Sequence, residues 1–166
     1  MGVFIYPCKI KEKVCGLVSN EEFDALYEEY DALKEDILVL ENTSEYDEFL
    51  SPFEEGVYTY DGGHAHIGIS YSTYGDFLQR LENLANTTET FYAFSTTISA
   101  SGIDNCISYK VAEEMLGEFK QMEAKAEKYL VKDGSDEYGK FLWNIYKRYM
   151  EVLQECIEIK GIVQYK

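Results

Sequence analysis

Bases are scarce in this chain: fifteen Lys and Arg stand against thirty-one Asp and Glu, a formal net charge of −16. Docking on a phosphate backbone needs clustered Lys and Arg, so direct nucleic-acid binding is excluded as the main activity. Histidines number two, His64 and His66, and the four cysteines (Cys8, Cys15, Cys106, Cys156) form no C-x-x-C pair. That spacing matches no zinc site, so neither a structural metal nor any other cofactor is expected. Apolar runs are short, far from the roughly 20 residues that a membrane span requires. Lys9, Lys11 and Lys13 follow the apolar start instead of preceding it, the reverse of a secretory signal. The expected setting is a reducing cytoplasm, with free thiols.

Aromatic residues are abundant, with fifteen tyrosines and nine phenylalanines in 166 residues. A chain of this size buries roughly 70% of the surface its unfolded form exposes and folds without disulfides. One domain spanning 1–166 is expected, since no linker or repeat divides it. Its charge is unevenly placed. Residues 1–19 hold three lysines and Glu12, whereas residues 20–61 hold fifteen acids and only Lys34. Such a segment either solubilises the protein or attracts a basic partner by steering.

Periodicity outlines the elements. Gly2–Tyr6 reads as a strand ended by Pro7. Ser19 with Glu22 forms a capping box, followed by a helix with Phe23, Leu26, Tyr30, Leu33 and Ile37 on one core-facing stripe. Residues 41–56 read as an acidic loop with a turn around Tyr46–Leu50. Val57–Tyr60, Asp61-Gly62-Gly63 and His64–Tyr71 read as a β-hairpin with a positive-φ turn. A helix is expected over Asp76–Ala85, a strand over Phe91–Ile98 and a loop over Ile103–Ser108. Long helices follow from Ser108 to Tyr129 and over 137–159, the second carrying Phe141, Ile145, Tyr149, Val152 and Ile159 on its stripe. Gly161 stops it, and Ile162–Tyr165 closes the chain as a strand. The fold class expected is α+β, a small, mainly antiparallel sheet packed against several amphipathic helices.

Chemistry-bearing motifs are few. Ser70-Tyr71-Ser72-Thr73-Tyr74 places five hydroxyls where a strand meets a helix, between Gly68 and Gly75. Helix-start amides favour anions, so Ser70, Tyr71, Ser72 and Tyr74 are candidate ligand residues for a nucleotide. The competing reading is a helix cap by Ser72 or Thr73 with packed tyrosines. The stretch is neither a P-loop nor a nucleophile elbow. His64 and His66, one residue apart on the expected hairpin, are possible ligand-binding or acid–base residues, although a lone H-x-H is a weak metal signal. Paired carboxylates recur throughout and single out no catalytic pair.

The start Met1-Gly2-Val3-Phe4-Ile5-Tyr6, the core Ser70–Tyr74 and the end Gly161-Ile162-Val163-Gln164-Tyr165 resemble a group of uncharacterised phage and bacterial proteins. Those carry an "MGLDIY"-like start, a central "GSYSGYN"-like motif, an "FSD-x-EG"-like segment and a "GG-V-x-F"-like end. Phe94-Ser95-Thr96 with Ser101-Gly102 stands at the third. Phe4 replaces the usual Asp, Ile69 and Thr73 replace glycines, Gly75 replaces Asn and Thr96 replaces Asp. The likeness implies a mobile-element context and no established activity.

The functional expectation is a non-catalytic inhibitor of counter-defence type, as anti-CRISPR proteins are. Its carboxylates would stand in for phosphates on the basic surface of a partner, such as a nucleic-acid-binding nuclease complex. Glu21, Glu22, Glu28, Glu29, Glu35 and Asp36 would carry that contact, with Tyr27 and Tyr46 as aromatic anchors. The alternatives are nucleotide binding or sequestration at Ser70–Tyr74, a hydrolase using His64 and His66, and a structural interaction role.

Overall fold

The computed structural model describes residues 1–41, 49–87, 92–102 and 105–166. The elements run β1 (Gly2–Cys15), α1 (Asn20–Ala32), β2 (Asp36–Leu40), β3 (Gly56–Gly62), β4 (Ile67–Ser70), α2 (Tyr71–Thr87), α3 (Ser95–Ala100), β5 (Cys106–Ser108), α4 (Tyr109–Leu130), α5 (Glu137–Ile159) and β6 (Ile162–Tyr165). Six strands form one antiparallel sheet in the order β2-β3-β1-β6-β5, with β4 also on β1. The α+β class is as expected.

Strand β1 is the frame. It does not stop at Pro7 but continues to Cys15, and Pro7 sits inside it opposite Val163. The anticipated hairpin is absent, because β3 and β4 do not pair with each other. Both lie along the same side of β1: Gly62 opposes Cys8, and Ile67 opposes Ile5. Between these registers, the four residues Gly63–His66 face only Tyr6 and Pro7, so the chain bows outward. The Gly63 amide donates to the Pro7 carbonyl at 2.7 Å, which places the bow on that side of the strand. A strand residue directs its N–H and C=O to one side, so the N–H that proline lacks would also have faced the bow. A proline in a central strand is tolerated for this reason. The expected turn at Asp61-Gly62-Gly63 needed positive φ, but Gly56 is the positive-φ glycine among the described residues.

The helix stripe predicted through Ile37 ends early. Lys34 turns left-handed (φ 58°), and Ile37 lies in β2, paired with Thr59. The expected strand around Phe91–Ile98 is instead the short helix α3 within its described part, and Cys106–Ser108 is a strand, not a loop. Helix α2 starts five residues before Asp76, at Tyr71. Helices α4 and α5 match their expected spans closely. Gly161 follows α5 because a Cβ there would overlap the Cys8 carbonyl. No helix among the described residues is long and apolar enough to cross a membrane.

Alternation along the strands separates two apolar faces. Val3, Ile5, Ile67, Val163 and Tyr165 meet Phe77, Leu81, Met115, Phe119, Tyr146 and Tyr149 from α2, α4 and α5, forming the main core. The opposite face carries a smaller cluster of Cys8, Leu38, Leu40, Tyr58, Cys106 and Ile162, with Leu50 and Phe53 packed on it. The two edges of the sheet approach each other on this side, since Val39 and Glu41 of the β2 edge share a small cleft with Asn105, Cys106 and Gln164. All four cysteines are free thiols. Burial pushes Cys8 and Cys106 up to about 12, so neither is a nucleophile at neutral pH.

Candidate functional site

Helix α1 is capped at its start by a reciprocal side-chain pair and buries no residue completely. The Ser19 hydroxyl accepts from the Glu22 amide at 3.3 Å, and the Glu22 carboxylate accepts from the Ser19 amide at 2.8 Å. This reciprocal cap holds Glu22 below the usual carboxylate range. Phe23, Leu26 and Tyr30 are only half-buried, and α1 buries no residue completely. The stripe read as core-facing thus rests on the sheet edge, where α1 packs against β2. Tyr27 is 51% exposed.

The outward surface of α1 is dominated by carboxylates. Glu21, Asp24, Glu28, Glu29 and Asp31 are exposed and form no ion pair with any described residue, and α1 contains no base. Asp24 and Glu28 stand at i,i+4, and Glu28 and Asp31 at i,i+3. Each such like-charged pair costs a helix roughly 0.2–0.5 kcal/mol. No ion pair with a described residue offsets that repulsion.

The other acids of the segment are differently placed. Glu35 reaches Lys11 of β1 at 2.9 Å, Asp61 approaches the same ammonium at 3.7 Å, and Glu54 meets Lys13 at 3.1 Å. The β1 lysines therefore tie down part of the acidic segment. Asp36 opens β2 beside Tyr60 and Tyr6, whose phenols are raised chiefly by burial; Asp36 adds to both, and Tyr60 adds to the rise at Tyr6, whereas the hydrogen bond with Tyr6 lowers Tyr60. Tyr6 donates to the Gln164 side chain at 2.8 Å. Tyr46 lies outside the described residues. The site singled out from the sequence thus divides into an unpaired α1 face, with Tyr27 on it, and Glu35, which is ion-paired with Lys11.

The hydroxyl cluster also divides. Ser70, not Ser72 or Thr73, caps α2: its Oγ accepts from the Thr73 amide at 3.2 Å and lies 3.0 Å from Ser72 Oγ and 2.8 Å from Thr73 Oγ1. Tyr71 is 39% exposed. Tyr74 turns inward, buried, and donates to the Ser101 carbonyl at 2.8 Å. From there, Ser101 Oγ meets Tyr149 at 2.9 Å, and Tyr149 meets Tyr165 at 2.7 Å. Tyr74 therefore belongs to a buried hydroxyl chain joining α2, α5 and β6. Replacing Ser70 with Ala is expected to lower stability by about 1 kcal/mol, as loss of an N-cap does. A denaturant midpoint unchanged in Ser70→Ala would contradict the cap.

His64 and His66 are not on a strand. They sit exposed on the bow between β3 and β4, with His66 Nδ1 3.3 Å from the His64 carbonyl. Sequence reading passed over two carboxylates that matter here. Glu155 of α5 accepts the His64 and Ala65 amides, one on each oxygen, both at 2.7 Å. Gly63 lies so close that a Cβ would come 2.7 Å from the Glu155 carboxylate. Glu118 of α4 accepts the Thr96 amide at 3.0 Å and the Thr97 amide at 2.8 Å, closing the start of α3. Neither role has a local signal, because donor and acceptor lie from 21 to 91 residues apart.

Comparison of the chain with protein-family models, with curated proteins and with solved structures finds no match. The resemblance of the two ends and the central motif therefore has no family match beside it.

Proposed function

We propose that this chain is a non-catalytic binding protein whose α1 face docks on a basic, nucleic-acid-binding surface of a partner protein and keeps nucleic acid off it. The carrying observation is α1 itself: six acids in thirteen residues, no base and no fully buried residue. A helix laid so lightly on a sheet edge contributes little to the core. Its like-charged pairs cost stability in the free protein. A basic partner would turn that repulsion into attraction, steering encounter and fixing register. Tyr27, exposed among these carboxylates, adds an amphipathic anchor of the kind that concentrates interface energy.

The test is displacement. Fluorescent DNA is bound to members of a panel of basic nucleases, and the chain is added. DNA should be released from at least one of them, with the effect falling steeply as salt rises from about 50 to 500 mM, where the screening length shortens to a few ångströms. Asp24, Glu28, Glu29 and Asp31 changed together to Lys should lose the displacement while keeping the helical circular dichroism. The same four changed to Asn or Gln should fall between. Displacement that ignores salt, or survives the Lys variant, would overturn the reading.

A further inference from the structure

A second surface lies on the helix layer, away from the sheet edge that carries α1. An open groove of about 850 Å³ is lined by residues of α4 and α5 and by His64 and Ala65 of the bow. Its floor is apolar, made by Ala65, Leu116, Met150 and Ile159. Along one wall stand Glu151 and Glu158, both exposed and neither ion-paired with a described residue. Glu158 has only a side-chain contact from Gln154 at 3.1 Å. Glu155 adds a third carboxylate, but both of its oxygens are taken by the bow amides. A single base, Lys120, faces them.

We infer that this groove is a docking site for a segment of a partner protein that presents apolar side chains beside lysine or arginine. The apolar floor would take alkyl or aromatic groups, with Met150 adapting to their shape. The carboxylate wall would take the ammonium or guanidinium heads, since long basic side chains lay their stems on apolar surface and keep the charge at its edge. The volume holds several side chains, which suits a helix or extended segment seated by repeated anchors. Charge selects among occupants. A second copy of this chain brings another −16 and is repelled. An anionic lipid surface meets the same wall of carboxylates. The groove is independent of α1, so it can hold whether or not the α1 reading does.

The experiment uses the full chain labelled with carbon-13 at its methionine methyl groups. There are four such signals. Met115 and Met122 are core reporters, Met1 is fully exposed, and Met150 lies in the groove. The probe is a synthetic peptide with Leu and Lys at helical i,i+3/i+4 spacing, and its counterpart has every Lys replaced by Glu. The Lys peptide should shift the Met150 signal saturably, with a Kd on the order of 10–100 μM, and leave Met115 and Met122 in place. The double variant Glu151→Lys/Glu158→Lys should weaken binding about tenfold, and Met150→Lys should do the same in fluorescence anisotropy. The two surface glutamates keep the test valid should Met150→Lys fail to fold. Three results would overturn the proposal: no binding, binding that leaves Met150 unmoved (the mark of docking on α1), or equal binding of the Glu peptide.

Discussion

Raised above pH 10, the protein unfolds cooperatively over a narrow range instead of titrating its tyrosines one by one. Tyr74, Tyr146, Tyr149 and Tyr165 are all buried, and burial is the largest cause holding each phenol above its ordinary value. The unfolded chain ionises these groups near pH 10, whereas the folded chain keeps them neutral. Stability is therefore whole below pH 10 and is withdrawn as pH rises toward the folded values. At pH 11 each group contributes a loss of about 1.4 kcal/mol, and the four together roughly 5–6 kcal/mol. A domain typically has only about 5–15 kcal/mol in total. Far-ultraviolet circular dichroism and phenolate absorbance, followed together, should show a sharp step in which phenolate appears as helix is lost. Gradual ionisation with helix retained past about pH 12 would refute this account.

The second large effect is expected from Phe119→Ala. Phe119 is fully buried at the centre of an aromatic group. Its ring centroid lies 4.5 Å from that of Tyr146, 5.0 Å from Tyr149 and 5.5 Å, edge-on, from Phe94. These four rings come from α4, α5 and the residue preceding α3, so the cavity left by truncation cannot close by one element moving. A cost of about 3–5 kcal/mol follows from lost transfer energy and the cavity. In a domain of this size that lowers Tm by roughly 10–15 °C. Phe141→Ala makes the informative contrast. Periodicity places Phe141 on the core stripe of α5, yet it is 45% exposed and tilts over Tyr138 instead. Its truncation should cost under about 1 kcal/mol. Comparable losses in both variants would show that the core is not centred on Phe119.

The unfolding and truncation experiments address the fold, whereas the α1 and groove experiments address binding, and the latter are kept apart by their charge chemistry. On α1 the carboxylates surround one exposed tyrosine and no apolar floor, which suits a salt-dependent contact with a broad basic surface. In the groove the carboxylates rim an apolar floor, which suits a defined segment and a weaker dependence on salt.

Determined by the sequence alone were the features whose causes lie within a few residues of one another. The capping box at Ser19 and Glu22 is local, and it formed as read. The spans of α4 and α5 follow from a 3.6-residue repeat that any helix must satisfy. The concentration of acid in residues 20–61 is a property of composition and needs no fold. Tertiary structure decided what depends on distant partners. Pro7 is internal to β1 because Gly63–His66 bow away from it, and that bow is held by Glu155, some ninety residues on. Ile37 carries a helical period but pairs with Thr59, since a strand is stabilised by its neighbour across the ladder. β3 and β4 chose β1 over each other for the same reason. Which acids of the 20–61 segment are ion-paired depended on where Lys11 and Lys13 emerge from β1, and no window along the chain brings those lysines beside Glu35 and Glu54.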